Sequence, residues 1–464
     1  MKPYSDFVKT KKLLFTPVGF QYEGKINPAL FPFQRDILLW ALKKGRACLF
    51  EDCGLGKTIQ QLEWARIVSE HNDGPVLLVT PLGVALQTNM IEAPKFGIET
   101  NICNSGSDLK SGINITNYEK LHKFEGIIND LSGVVLDESS ILKNMAGKTR
   151  NQIINMFDRI PYRLACSATP APNDFMELGN HSEFLGIMSY SEMLSMFFIN
   201  DSGDTGQWRL KKHASEAEFW KWLASWAVML TNPTDIGYNG SEDFVLPDLI
   251  YHEHKIPAKS FSGGLMAMEA RTMQERRQVR KETIQERCKK AADIINATDD
   301  QWVIWCGLNP EGDLLAKMIH GGKQISGSTD TDTREKLLLG FADGSVKRLV
   351  TKASISGFGM NWQHCHKMAF VGLSDSWEQL YQATRRVWRF GQKNAVDAHI
   401  IIEEREGAVL KNIKRKDHQA KHMAKNMIKH MKDLVKSEIR NAMEKPKPEL
   451  PKIKMEIPAW IPTK

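Results

Sequence analysis

At 464 residues the chain is long enough for two or three domains with separate cores, and its 42% apolar and 25% charged content excludes a disordered or fibrous protein. No apolar run approaches the roughly eighteen residues of a membrane span, and Met1-Lys2-Pro3-Tyr4-Ser5-Asp6 lacks the apolar core of a signal peptide, so no membrane partner is expected. The net charge of +7 is concentrated at the end, with sixteen Lys and Arg against seven Asp and Glu between 405 and 464, which reads as contact with a polyanion or as a solvated tail.

The seven cysteines are scattered and form no Cys-x-x-Cys pair, which predicts reduced thiols in a cytoplasmic protein. The stretch up to about Asn27 carries no chemistry that can be named. Pro32 then opens a helical apolar spacing that contains Gln34, whose amide has both the donor and the acceptor needed to read an adenine edge. A buried strand (Ala47, Cys48, Leu49, Phe50) leads into Glu51-Asp52-Cys53-Gly54-Leu55-Gly56-Lys57-Thr58 and then a helix. This is the layout of a phosphate-binding loop. Gly54 and Gly56 allow close backbone approach, Lys57 offers a cation to the outer phosphates, and the Thr58 hydroxyl is a Mg²⁺ ligand. The full pattern has glycine where Glu51 stands, so the match is partial.

The stretch from Val76 to Pro81 reads as a buried parallel strand ending in a turn and that from Ile113 to Tyr118 as another short strand meeting a polar turn, with a helical stretch from Leu86 to Phe96 between them, which predicts an open α/β sheet with ligands at the strands' carboxyl ends. Gly133-Val134-Val135-Leu136 ends in Asp137 and Glu138. Two carboxylates closing a buried strand are costly unless used, and beside a phosphate loop they suit a Mg²⁺ ligand (Asp137) and a water-activating base (Glu138). Tyr162–Cys166 runs into Ser167-Ala168-Thr169-Pro170, whose hydroxyls are placed to sense the γ-phosphate through the acidic strand end.

The stretch from Asn180 to about Leu249 breaks the strand–helix rhythm. Phe219, Leu223 and Trp226 share a helical face and predict core packing rather than base stacking. The arginine-rich stretch 260–297 reads equally as a phosphate contact or a solvated face. A second α/β pattern starts at Gln301 and includes a helix over 333–341, capped by Asp332 or Thr333, and the strand Arg348–Thr351. Gly357 and Gly359 precede Asn361, and Gln382, Arg386 and Arg389 fall four and three residues apart, on one helix face. Paired guanidinium groups neutralise charge on a transferred phosphoryl group, or pair with surface carboxylates in an ordinary helix. A basic helix is predicted to about Met443, followed by a proline-broken tail.

In order, Gln34, Gly54-Leu55-Gly56-Lys57-Thr58, Thr80-Pro81, Asp137-Glu138, Ser167-Ala168-Thr169-Pro170, Gly357-x-Gly359-x-Asn361 and Gln382-Ala383-x-x-Arg386-x-x-Arg389-x-Gly391-Gln392 resemble the motifs of superfamily 2 helicases, and most closely those of the Swi/Snf-type DNA translocases. The resemblance covers about residues 30–180 and 300–403. The family's acidic motif usually ends in histidine where Ser140 stands, and the Ser139-Ser140 form in a compact chain is similar to bacteriophage-encoded members.

The resemblance implies an α/β protein of two tandem RecA-like lobes with mostly parallel sheets, helical insertions and a basic helical C-terminal tail. Its expected division is 1–180 for the ATP-binding lobe, 181–300 for insertions and linker, 301–403 for the second lobe and 404–464 for the extension. ATP and Mg²⁺ would lie between the lobes. Gln34, Gly54, Gly56, Lys57, Thr58 and Gln382 would bind ATP, and Thr58 and Asp137 would hold the metal. Glu138 would be catalytic, with Arg389 as the leading arginine finger and Arg386 beside it. Ser167, Thr169, Gly357, Gly359 and Asn361 would couple hydrolysis to movement. The implied activity is translocation on double-stranded DNA in a bacterial or phage-infected cytoplasm. A strand-separating DNA or RNA helicase, or a nucleic-acid-binding protein with a silent ATPase, are the alternatives.

Overall fold

The computed structural model describes residues 17–126, 130–200, 208–212, 214–238, 244–258, 272–356 and 361–443, without the side chains of 214, 273, 331, 356 and 431–443. The apolar runs of the first half become parallel strands buried on both faces, as continuous Val, Ile and Leu segments do. They are β1 (Arg46–Glu51), β2 (Val76–Thr80), β3 (Thr100–Ile102), β4 (Ile113–Asn117), β5 (Gly133–Asp137) and β6 (Tyr162–Cys166). A short antiparallel pair follows, β7 (Phe198–Asn200) with β8 (Trp208–Leu210), and then β9 (Ala227–Leu230). The first sheet has the order β3-β4-β2-β5-β6-β1-β9, every neighbouring pair parallel.

The second sheet uses β10 (Leu249–Ile256), β11 (Trp302–Cys306), β12 (Gly322–Gln324), β13 (Arg348–Thr351), β14 (Lys367–Val371) and β15 (Val396–Glu403). Its order is β10-β15-β14-β11-β13-β12, again all parallel. The molecule is therefore α/β with two RecA-like lobes, as the motifs implied.

Both sheets reach into the 181–300 region expected to hold only insertions and linker. β9 pairs with β1 and completes the first sheet, while β10 forms the edge of the second. Each escaped the pattern for a physical reason. Ala227-Val228-Met229-Leu230 is too short to separate from the apolar helix before it. Leu249-Ile250-Tyr251-His252-Glu253-His254-Lys255-Ile256 carries four polar residues in a row, His252 to Lys255, and none of its residues is fully buried, because an edge strand faces water.

Helices cover the sheets. Those that position the site are α1 (Pro32–Lys44), α2 (Lys57–Asn72), α3 (Leu178–Leu185), α4 (Ala214–Ala224), α5 (Ile284–Asn296), α6 (Trp377–Val387) and α7 (Gly407–Met443). Phe219 and Leu223 of α4 and Trp226 after it are fully buried in the first lobe's core, as the helical spacing predicted. The helix Thr331–Ala342 is capped by Asp330, which accepts from Thr333 N at 2.9 Å, two positions before the expected Asp332 and three before the alternative Thr333. The arginine-rich stretch is neither a bare phosphate contact nor a solvated face at Arg287, which lies wholly buried 2.6 Å from Glu311. Residues 260–271 of that stretch lie outside the described residues.

α7 is the predicted basic helix, and it does more than trail. Val409, Leu410 and Ile413 are packed in the second lobe's core, and Met423 and Met427 in the first lobe's. One helix thus straps the two cores together. The proline-broken tail beyond it lies outside the described residues. No described helix is long and apolar enough to cross a membrane, and all seven cysteines are free thiols.

Candidate active site between the lobes

The order β2-β5-β6-β1 brings the carboxyl ends of these strands side by side, so the loop after β1 and the acids ending β5 share one edge of the sheet. Gly54 and Gly56 adopt φ of 93° and 78°, the left-handed region that glycine enters without strain. Space is also short: a Cβ on Gly56 would meet Gln34 Nε2 at 2.2 Å, and one on Gly54 would meet Phe390 N at 3.0 Å. α2 starts at Lys57 with no side-chain cap, which points its first amides at the loop's hollow. The Lys57 ammonium donates to the carbonyls of Glu51 and Asp52 at 2.7 and 3.1 Å. Gln34 is fastened to the loop, Nε2 donating to the Leu55 carbonyl at 2.7 Å while Oε1 accepts Phe31 N at 2.8 Å.

Asp137 and Glu138 end β5. Burial raises the Asp137 carboxyl, while Gln61, donating to its Oδ1 at 2.8 Å, and the charge of Lys57 pull it down. Burial and the neighbouring Asp137 push Glu138 up to about 7, and Lys57 and Arg386 oppose them. Lys57, both acids and Arg386 of the second lobe therefore act on one another electrostatically. Thr58 follows Lys57 on α2, half-buried on the same loop. Two adjacent desolvated carboxylates and a threonine hydroxyl are oxygen donors that suit a hard cation such as Mg²⁺, whose charge would offset the burial that raises both acids.

The second lobe contributes α6, on which Gln382 and Arg386 share a face as their spacing predicted, whereas Arg389, expected on the same face, lies beyond the helix, which ends at Val387. Gln382 and Arg386 face the acids. Gln382 Nε2 lies 3.5 Å from Glu138 Oε2, and Arg386 donates to Gln382 Oε1 at 3.2 Å. Arg389 lies just past the helix, near Cys53 and Glu92, and burial with Arg386 alongside lowers its guanidinium to about 10. Of the two arginines, Arg386 is the one whose charge acts on both Asp137 and Glu138.

The other face of α6 was missed. Arg385 Nη2 lies 2.8 Å from Asp52 Oδ2 and donates to the Cys53 carbonyl at 2.7 Å. Tyr381 OH also bonds Asp52, and the Arg385 guanidinium stacks on Trp388 at 4.8 Å. Tyr381, Arg385 and Trp388 wall a cavity of about 780 Å³ between the lobes, which α7 helps to close. The available signal was the Tyr381/Arg385 spacing of four, which places a second polar pair beside the one singled out.

Ser167 and Thr169 do not bond the acidic strand end as expected. Ser167 Oγ accepts from Thr169 N at 3.0 Å, and the Thr169 hydroxyl donates across the cleft to Glu378 Oε1 at 3.2 Å. Lys143, on the turn after the acids, pairs with the other oxygen of Glu378. The reason is steric order: Glu378 starts α6 and reaches Thr169 directly. Asn361 is exposed, and Gly357 and Gly359 lie outside the described residues.

Comparison with known proteins agrees with the motifs. Residues 33–212 match the model of the SNF2-related domain. The chain is similar to the SWI/SNF-related matrix-associated actin-dependent regulator of chromatin subfamily A-like protein 1 of Xenopus tropicalis, 31% identical over 168 residues, which are 34% of this chain and 17% of that protein. The protein of the same name from Bos taurus is 23% identical over 416 residues, 82% of this chain and 43% of the relative. The chain thus spans less than half the length of these relatives. Among solved structures it is similar to a Sulfolobus solfataricus SWI2/SNF2 ATPase core in complex with dsDNA, with a TM-score of 0.41 and 20% identity over 92% of this chain and 99% of that one.

Proposed function

The chain carries an SNF2-related domain of the Swi/Snf type, and from that premise we propose that it is a nucleic-acid-dependent ATPase that moves along double-stranded DNA and remodels protein–DNA complexes or branched DNA. The observation that carries this reading is the convergence of Lys57, Asp137 and Glu138 from one lobe with Arg386 from the other. Lys57 and the α2 amides bind the outer phosphates, Gln34 reads the adenine, and Glu138 orients and deprotonates the attacking water. Thr58 and Asp137 hold Mg²⁺, which would supply charge neutralisation at the phosphates. Arg386 offsets charge on the transferred phosphoryl group, with Arg389 as the second guanidinium and Gln382 holding Arg386 in place.

Neither lobe holds this whole set, so turnover requires their apposition. Thr169 and Ser167 on one side, with Gly357, Gly359 and Asn361 on the other, transmit that apposition to the nucleic acid. The first lobe runs through β9 and the second from β10. The reduced thiols fit a cytoplasmic setting. DNA tracking through the phosphate backbone, largely without sequence readout, fits the positive charge gathered toward the C-terminal end.

The test is steady-state ATPase activity with duplex DNA, single-stranded DNA and RNA, followed by triplex and strand displacement on the same preparation. The proposal expects stimulation by duplex and triplex displacement without strand separation. Stimulation by single strands with duplex unwinding would make the protein a helicase, and no turnover under any condition would make it a silent ATPase.

A further inference from the structure

We propose that His181 is a positioning residue for Glu138, acting through the Ser139 hydroxyl to hold the glutamate's backbone in a left-handed turn. The proposal rests on the reading of Glu138 as the water-activating acid. Glu138 has φ 50° and ψ 52°, and only Asp73 shares a positive φ among the described non-glycine residues. An L-residue keeps that conformation only where its surroundings over-determine it.

Anchors stand on both sides. Before Glu138, the Asp137 carbonyl accepts the Tyr118 hydroxyl at 2.6 Å, and Asp137 is registered against Cys166 in the sheet. After Glu138, Ser139 is wholly buried with its Oγ 3.1 Å from Nε2 of His181, itself wholly buried on α3. The imidazole is fixed in turn. It packs edge-on against Phe50 at 5.2 Å, on the strand that feeds the phosphate loop. α3 is pinned by Arg150 Nε donating to Asn180 Oδ1 at 3.1 Å and by Ser182 Oγ donating to the Met188 carbonyl at 2.9 Å. Burial pushes the His181 pKa down to about 4, so the ring is neutral near pH 7 and its bond to Ser139 carries no charge. One rigid ring thus touches both the strand leading to the phosphate loop and the turn that presents the acid. Without it, the Glu138 backbone relaxes toward the right-handed region and carries its carboxylate away from the cleft.

A core histidine that merely fills space would leave chemistry untouched once the fold is intact, and the experiment separates the two. Ser139→Ala removes the hydroxyl with almost no change in volume, His181→Leu removes the polar ring, and His181→Gln keeps an amide near the Nε2 position. For each, kcat, the affinity for a fluorescent ATP analogue and the thermal unfolding midpoint are measured, with Glu138→Gln alongside. The expected result is a kcat about tenfold to a hundredfold lower in Ser139→Ala and His181→Leu, the cost of a misplaced catalytic group. Nucleotide affinity should stay within about twofold in both. The double variant should be no worse than the poorer single, and His181→Gln should recover most of the rate. Wild-type kcat in a folded Ser139→Ala, or losses that add in the double variant, overturn the proposal even if His181→Leu does not fold. If Glu138→Gln turns over normally, the catalytic reading of Glu138 fails and takes this one with it. If Glu138→Gln is dead while Ser139→Ala and His181→Leu are fully active, only the role of His181 fails.

Discussion

Arg385 of the second lobe places its Nη2 2.8 Å from Oδ2 of Asp52, so the two lobes are fastened to each other at the loop that follows β1. The same guanidinium bonds the Cys53 carbonyl and lies over Trp388, and Tyr381 takes the other oxygen of Asp52. Arg385 is almost wholly buried, so it gives up solvation in exchange for this contact. Removing it takes the guanidinium from Asp52 Oδ2 and leaves the carboxylate with Tyr381 and the Cys53 amide on Oδ1. Arg385→Met is expected to weaken the docking of the lobes by about 2–3 kcal/mol. It should enlarge the radius of gyration seen in small-angle scattering and raise the KM for ATP. An unchanged radius and KM would show that the contact does not hold the lobes.

The first-lobe chemistry separates into binding and turnover. Lys57→Ala should abolish ATP turnover by removing the phosphates' cation, and normal turnover in that variant would remove the phosphate-loop assignment. Glu138→Gln keeps shape and burial but loses the base, so it should bind a fluorescent nucleotide and hydrolyse ATP slowly. Loss of nucleotide binding would mean that Glu138 has a different role.

α7 ties the cores together through apolar contacts, and its removal should be felt in both lobes. Met427 is wholly buried in the first lobe's core although it lies on a helix that begins in the second. Met427→Ala is expected to cost about 2–4 kcal/mol by cavity formation. Denaturant unfolding should then lose cooperativity between the lobes. A shift of under about 0.5 kcal/mol, the size of an ordinary surface change, would show that the helix only rests on the surface.

What the sequence made legible follows from how local each signal is. β2, β4, β5, β6 and β13 fall within the stretches that predicted them, because each is a short run rich in apolar residues that ends in a turn. The glycines, the lysine and the two acids form contiguous motifs, and the structure brings them to one edge. Arg386 was found by its spacing on a helix face. The roles of Arg385, Glu378 and His181 depend on partners 333, 209 and 42 positions away, at Asp52, Thr169 and Ser139, and no local period carries that information. The edge strand β10 was hidden for the opposite reason, since its water-facing residues break the apolar run that marks the other strands.

Acid should destabilise the second lobe through a histidine stack on its sheet edge. His399 lies between His252 and His254, with ring centroids 4.5 and 5.2 Å away. Burial and those two neighbours push its pKa from 6.5 down to about 4. The unfolded chain therefore takes up the proton first as pH falls. Stability is full above about 7, declines as pH drops through 6.5, and levels off near 4. The group is only half-buried, so the loss is discounted to about 1 kcal/mol. His399→Asn should flatten the slope in urea titrations between pH 7 and 5, and an equal slope in that variant would move the effect to other groups. His181, also held near 4, adds to the wild-type slope in the same direction.

The central claim is that one nucleotide is completed by residues from both lobes, and Arg386→Ala tests it most directly when turnover and nucleotide binding are measured on the same protein. The account predicts that a fluorescent ATP analogue still binds through the first lobe while kcat falls by about 10³ or more, as loss of an arginine finger does, with Arg389→Ala falling less. A normal kcat in a folded Arg386→Ala, with Arg389→Ala also normal, would contradict it.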